Sequence, residues 1–157
     1  MVNGKGVLSC HEERLVLRPT YHVFALYGRL GEGDVLDIYV ESESDDFFVA
    51  SEAQNFRRTT TVHHLDAVVV ARPEGLSLAV VNRSLSSPCE CTIIFEGCDP
   101  QEVTAHCLTG ETVEGTNTVH APSAVAVARD TLQAVARPDV RIFPPHSLTL
   151  LEYSYRR

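Results

Sequence analysis

Leu76-Ser77-Leu78-Ala79-Val80 sets the fold class of this 157-residue chain. Apolar residues recur at every second position, and a strand turns successive side chains to opposite faces. The stretch therefore reads as a strand with one solvated face. Arg72-Pro73-Glu74-Gly75, just ahead of it, is a turn signal. The same alternation returns at Ser147-Leu148-Thr149-Leu150-Leu151. Working outward, short apolar runs rich in β-branched residues stand at Val35–Val40, Phe47–Ala50, Ala67–Ala71, Leu76–Val81, Cys89–Phe95, Val103–Leu108, Val125–Ala128, Val140–Phe143 and Ser147–Tyr153. Pro, Gly and Asp clusters separate many of them, as at Gly97-Cys98-Asp99-Pro100 and Arg137-Pro138-Asp139. Many short strands with no helical pattern between them predict an all-β protein, an antiparallel β-sandwich.

One short helix precedes it. In Pro19-Thr20-Tyr21-His22-Val23-Phe24-Ala25-Leu26-Tyr27-Gly28, Thr20 is a candidate cap, Tyr21, Phe24 and Ala25 share a helical face, and Gly28 is a natural stop. Ahead of the second run, Glu41, Glu43, Asp45 and Asp46 form an acidic stretch, and after it Gln54–Thr61 is polar. An exposed loop or irregular hairpin is predicted there. The domain reading is a leader over 1–30 and a sandwich over 31–157.

Thirteen Lys and Arg face 21 Asp and Glu, a formal net charge of −8, and Lys5 is the single lysine. Nucleic-acid binding draws its affinity from neutralised phosphates, so no nucleic-acid partner is expected. The pairs Arg57-Arg58 and Arg156-Arg157 read as solvated surface charge. Runs such as Ala67–Ala71 are far short of the ~20 residues of a membrane-crossing helix, so no membrane partner is expected either. The amino terminus has no signal-peptide pattern. The odd set Cys10, Cys89, Cys91, Cys98 and Cys107 is not a disulfide framework. Both features predict a reducing, cytoplasmic setting.

Local motifs supply no catalytic site, metal or cofactor. The acidic stretch lacks the glycine and terminal glutamate of a calcium loop. His63 and His64 are adjacent, so on a strand they point to opposite faces, away from a shared metal with Asp66. Cys89-x-Cys91 puts two thiols on one face, and a metal-bearing reading would add Cys107 and nearby histidines, but zinc-type spacings are missing. Buried free thiols are the simpler expectation. No serine sits in a Gly-x-Ser-x-Gly elbow, and no phosphate-binding glycine pattern occurs. A sugar-binding surface would need exposed rings, and with no tryptophan the candidates are Tyr39, Tyr153 and Tyr155.

Longer words carry more. Arg18-Pro19-Thr20-Tyr21-His22-Val23-Phe24-Ala25-Leu26-Tyr27 resembles the "TPTYHVF-x-x-Y" segment of the α-L-arabinofuranosidases of glycoside hydrolase family 51. Leu65-Asp66-Ala67 followed by Gly75-Leu76-Ser77-Leu78-Ala79-Val80-Val81-Asn82-Arg83-Ser84 resembles that family's "LDASA…DG-x-LTL-x-VVNRS". Ala105-His106-Cys107-Leu108-Thr109-Gly110, with Asn117-Thr118 and Pro122, is similar to "a-x-vLTG…NtfenP". Phe143-Pro144-Pro145-His146-Ser147-Leu148-Thr149-Leu150-Leu151 is similar to the closing "lPPhSvtvLel". The matches lie in order over nearly the whole chain.

The resemblance implies the carboxyl end of such an enzyme, whose architecture is a (β/α)8 catalytic barrel followed by a jelly-roll sandwich. It makes residues 1–17 the last barrel strand and its loop, Pro19–Tyr27 the last barrel helix, and Val35–Tyr155 the sandwich. Family members carry an acid/base glutamate in an Asn-Glu pair and a nucleophile in an Asp-Glu-Trp-like setting. Here Asn3, Asn55, Asn82 and Asn117 precede Gly, Phe, Arg and Thr, and tryptophan is missing. A barrel takes about 250 residues, and the retaining mechanism needs two carboxylates ~5–5.5 Å apart. No catalytic, cofactor or metal residue is carried over. The expectation is a non-catalytic domain that docks on and stabilises a barrel hydrolysing terminal α-L-arabinofuranosyl residues, in the same or a neighbouring chain. The face of Tyr21, Phe24 and Ala25 would then be open to self-association. The alternative is a stand-alone carbohydrate-binding module.

Overall fold

The computed structural model describes residues 6–11, 13–51 and 56–155; Lys5, Gln54 and the Arg156-Arg157 pair lie outside these. The described elements are β1 (Leu8–His11), β2 (Arg14–Leu17), α1 (Pro19–Gly28), β3 (Asp34–Leu36), β4 (Ser44–Ser51), β5 (Phe56–His63), β6 (Leu65–Arg72), β7 (Gly75–Asn82), β8 (Cys89–Ile93), β9 (Glu102–Thr109), β10 (Ala126–Arg129), β11 (Gln133–Ala134), β12 (Asp139–Phe143) and β13 (Ser147–Ser154). All described pairings are antiparallel.

The main sheet runs in the order β10-β9-β13-β7-β6-β3, with β11 also on β9. Its centre is the pair of alternating sequences that set the fold class. Leu78 lies opposite Leu151 and Val69, and Ala79 lies opposite Leu150 and Val68. One slip of register would turn each of these to the other face, so the apolar alternation fixes the pairing. The turn signal at Arg72–Gly75 closes β6 onto β7, Arg72 pairing with Gly75 across Pro73-Glu74. A Cβ at Gly75 would collide with the backbone carbonyl of Tyr153, so the β7–β13 approach excludes any side chain there.

Each face of this sheet is covered differently. On one, Leu65, Val69, Leu76, Val80, Leu151 and Tyr153 form a core with Phe143, and Cys89, Cys91, Ile93 and Phe95 pack on it. The two-stranded β8–β12 ladder therefore forms the second layer of the sandwich. On the other face, Ala79, Leu108, Leu148 and Leu150 pack with Leu26 of α1 and, at the margin, Val23 and Leu30. Leu26 is 3% exposed, a burial that stabilises by about 1.5–3 kcal/mol.

The expected all-β sandwich behind one short helix is what the chain forms, with local differences. Helix α1 spans Pro19–Gly28, but Arg18, not Thr20, occupies the N-cap, without a side-chain cap, and Pro19 opens the helix. That is where its fixed φ and missing N–H cost nothing. The predicted strand Val35–Val40 survives only as far as Leu36, which pairs with Val69; residues 37–43 leave the sheet to reach β4. The polar stretch read as a loop or irregular hairpin is in its described part a regular strand, β5, paired along its whole length with β4. Thr59, Thr60, Thr61 and Val62 are β-branched and suit a strand even where both faces meet water. Ahead of the helix, β1 and β2 form an antiparallel hairpin.

Candidate functional site

The leader is held to the sandwich on both sides of the helix. Before it, buried Asn117 donates from Nδ2 to the carbonyls of Leu17 and Val125, both at 2.8 Å, while its Oδ1 accepts from the Val125 N–H at 2.7 Å. Val125 belongs to the core beneath the helix, so this one amide ties the end of β2 to that core. After the helix, Arg29 Nη2 donates to Glu152 Oε2 at 2.6 Å. His106 Nε2 lies 2.8 Å from the same oxygen. Burial raises the Glu152 carboxyl, but hydrogen bonds from Arg29 and His106 and their positive charge outweigh it and hold it below its ordinary value. Register explains the meeting. Glu152 stands opposite Thr104 and Ser77, and His106 opposite Leu150, all on the helix-covered face.

With Leu26 turned inward, α1 leaves Tyr21, Phe24 and Tyr27 exposed, Phe24 by 69%. Ala25 is exposed as well, and so are Leu8 and Leu15 on the preceding hairpin. From behind, Leu26, Asn117 and the Arg29–Glu152 pair attach this part of the chain to the sandwich.

The residues singled out by sequence do not converge. Cys89 and Cys91 both pack inward on the β8–β12 side, whereas Cys107 sits on β9 opposite Thr149 and Ala128. All five cysteines are free, and burial pushes the Cys89, Cys91 and Cys107 thiols up, away from the thiolate that a ligand or nucleophile needs. His63 is exposed and His64 buried. His64 Nε2 lies 2.9 Å from Asp45 Oδ2, and Asp66 faces Arg83 at 3.6 Å. The acidic stretch is spread over separate partners, Thr61 donating to Asp46 at 2.6 Å. Among the described residues no three His, Cys, Asp or Glu side chains are grouped to hold a metal. Among them, too, no helix is long and apolar enough to cross a membrane.

Of the three tyrosines, Tyr39 is 87% exposed and Tyr153 is 1% exposed; Tyr155 is half-buried. Tyr153 donates to Asp139 Oδ2 at 2.6 Å, and Arg141 Nε donates to Asp139 Oδ1 at 2.7 Å. Burial and then the Asp139 bond push the phenol up, so this ring pins β12 to β13. Arg29, His106, Glu152 and Asn117 as a fastening escaped sequence reading. Their spacing along the chain carries no local pattern, and the one available signal was Glu152, the single charged residue of β13.

Residues 2–147 match the family described as "Alpha-L-arabinofuranosidase C-terminal domain". No curated protein matches the chain. Among solved structures, an arabinofuranosidase crystal structure is 24% identical with a TM-score of 0.84, covering 98% of this chain and 32% of its own. The arabinose complex of α-L-arabinofuranosidase from Thermotoga maritima is 24% identical with a TM-score of 0.83, covering 96% and 32%. The thermostable GH51 α-L-arabinofuranosidase from Thermotoga petrophila is 24% identical with a TM-score of 0.81, covering 94% and 31%. The chain thus spans about a third of the length of these proteins.

Proposed function

The chain belongs to the α-L-arabinofuranosidase C-terminal domain family, and from that premise we propose that it is a non-catalytic sandwich that docks on and stabilises a catalytic (β/α)8 barrel, in the same or a neighbouring chain. The barrel would hydrolyse terminal α-L-arabinofuranosyl residues, and the chemistry would reside there. On this reading the leader over 1–30 completes the barrel's last helix, and residues 31–157 are the accessory domain. The five free thiols support a reducing, cytoplasmic setting.

One observation carries the reading. Helix α1 is fastened from behind by Leu26, Asn117 and the Arg29–Glu152–His106 cluster, yet it turns Tyr21, Phe24 and Tyr27 outward. A helix completing a barrel needs just such an outward apolar face. Of the three rings singled out for a stand-alone sugar-binding module, Tyr153 is in the core and only Tyr39 is largely exposed.

The test is reconstitution. A barrel fragment of a family 51 arabinofuranosidase, cut ahead of its last helix, is mixed with this chain. The expected result is a rise in the fragment's melting temperature and recovery of arabinofuranosidase activity. No change in either would show that docking is the wrong idea.

A further inference from the structure

Among the described residues other than glycine, His146 alone has a positive φ, 41°. A left-handed backbone is strained for a residue with a Cβ, and it persists where the surroundings over-determine it. Those surroundings are three loops at one end of the main sheet: residues 83–88 after β7, residues 110–125 after β9, and residues 144–146 ahead of β13. The His146 N–H donates to the Ser84 carbonyl at 2.8 Å. The half-buried ring reaches both of the other loops. Nδ1 lies 3.1 Å from the Leu85 carbonyl oxygen, and Nε2 lies 3.1 Å from the Gly110 carbonyl oxygen.

Both partners are carbonyls, which only accept. A neutral imidazole carries one N–H, so one of the two contacts would set lone pair against lone pair; an imidazolium donates to both. Neither carbonyl is free to turn away. Loop 83–88 is held by Asn82, which accepts the Ser84 N–H at 2.9 Å and donates to the Ser87 carbonyl at 3.1 Å. Gly110 follows directly on β9, whose last residue, Thr109, pairs with Ala126. His64 shows the contrast. Its Nε2 lies 2.9 Å from Asp45 Oδ2, but Nδ1 faces Glu43 Oε2 at 3.9 Å, on a side chain that is 91% exposed. That carboxylate can swing into water and leave a neutral ring unopposed.

The other titratable and charged groups on the three loops are Arg83, which faces Asp66 at 3.6 Å, and exposed Glu111, Glu114 and His120. Among the described residues none forms an ion pair with the His146 ring. The two backbone carbonyls therefore decide which form of the ring fits. We propose that His146 is a proton-operated clasp: as imidazolium it ties the loops after β7 and β9 to the start of β13, and on losing the proton it releases one of them. Because the folded arrangement favours the charged ring, the clasp is complete in mild acid and opens as pH rises through the range where imidazole titrates. The device is internal to the sandwich and does not rest on the barrel reading.

The experiment is NMR of the whole isotope-labelled chain at about pH 5.5 and about pH 8. In mild acid both ring N–H protons of His146 are expected to give signals, since a hydrogen bond slows their exchange with water. At the higher pH one of them is expected to be lost. The amides of His146 and Ser87 are bonded within the clasped loops. Their protection, corrected for the intrinsic effect of pH on exchange, is expected to fall at least tenfold between the two conditions. Protection of Val80 and Leu150, in the central strands of the main sheet, is expected to stay unchanged. His146→Asn tests the cause, because asparagine tolerates a positive φ and has no titrating ring. It is expected to keep the fold and lose the pH dependence. A single ring N–H signal in mild acid overturns the proposal, and this is read on the unaltered chain, so it decides even where the variant unfolds. Equal protection of the loop amides at both pH values overturns it too, as does a folded variant that retains the pH dependence.

Discussion

Asn82 shows how much one polar side chain can hold. It is 1% exposed, at the end of β7. Its Nδ2 lies within reach of three carbonyls, Ser87 at 3.1 Å, Phe143 at 3.0 Å and Pro144 at 2.9 Å, while its Oδ1 accepts the Ser84 N–H at 2.9 Å. The turn after β7 and the end of β12 are thereby closed by one amide. Removing it takes a partner from the buried Phe143 carbonyl and Ser84 N–H, each at about 1–3 kcal/mol, while the Pro144 carbonyl keeps Ser147 Oγ at 2.6 Å. Asn82→Ala is expected to cost roughly 3 kcal/mol in urea unfolding, with an unchanged slope. Asn82→Asp keeps the acceptor but sets a carboxylate against three carbonyls. Its loss should be larger at neutral pH than in mild acid, where protonation restores a donor. In the sequence, Asn82 stood out only as a letter of the "VVNRS" resemblance. Periodicity speaks for apolar residues, and a buried amide that serves backbone carbonyls from distant elements leaves no periodic trace.

The elements divide by how plainly each face is marked. β6, β7, β9 and β13 were legible because one or both of their faces are buried, so alternation or a continuous apolar run records them. β5 was not, because its described side chains meet water or lie at its margin, and β3 was overread because apolar residues continue past Leu36 into a segment that leaves the sheet. Helix α1 was legible as an element, but its attachment was not, for Glu152 lies 123 residues beyond Arg29. That attachment responds to acid. The Glu152 carboxyl is held below its ordinary 4.5 by the folded state, so folding favours the ionised form. Its contribution is complete above about pH 4.5 and is lost as pH falls toward the lower folded value. Glu152→Gln is expected to lower stability at pH 7 and to flatten the stability–pH curve between pH 5 and the acid limit. Amide exchange in α1 should quicken more than in β6–β7, because the cluster fastens the helix while the sheet keeps its own ladder. Equal quickening in both would show that Glu152 serves the sheet as a whole.

At the scale of the molecule, the helix face of Tyr21, Phe24 and Tyr27 is apolar, and contact there is strengthened by salting-out ions such as sulfate. Exposed apolar patches of this kind mark interaction sites or, unpartnered, aggregation. Phe24→Ser with Leu15→Ser removes the two most exposed large hydrophobic side chains among the described residues of the leader, 69% and 57%, while Leu26 and Val16 beneath keep the packing. The double variant is expected to raise solubility in ammonium sulfate and to cut the fluorescence of a hydrophobic dye. Unfolding free energy should stay within about 0.5 kcal/mol, the usual range for surface positions. The same variant should bind a barrel fragment at least tenfold more weakly, because these side chains are the ones a barrel would cover. Retained affinity for the fragment would place the docking surface elsewhere on the sandwich. A large loss of stability would mean that Phe24 and Leu15 pack within the chain itself.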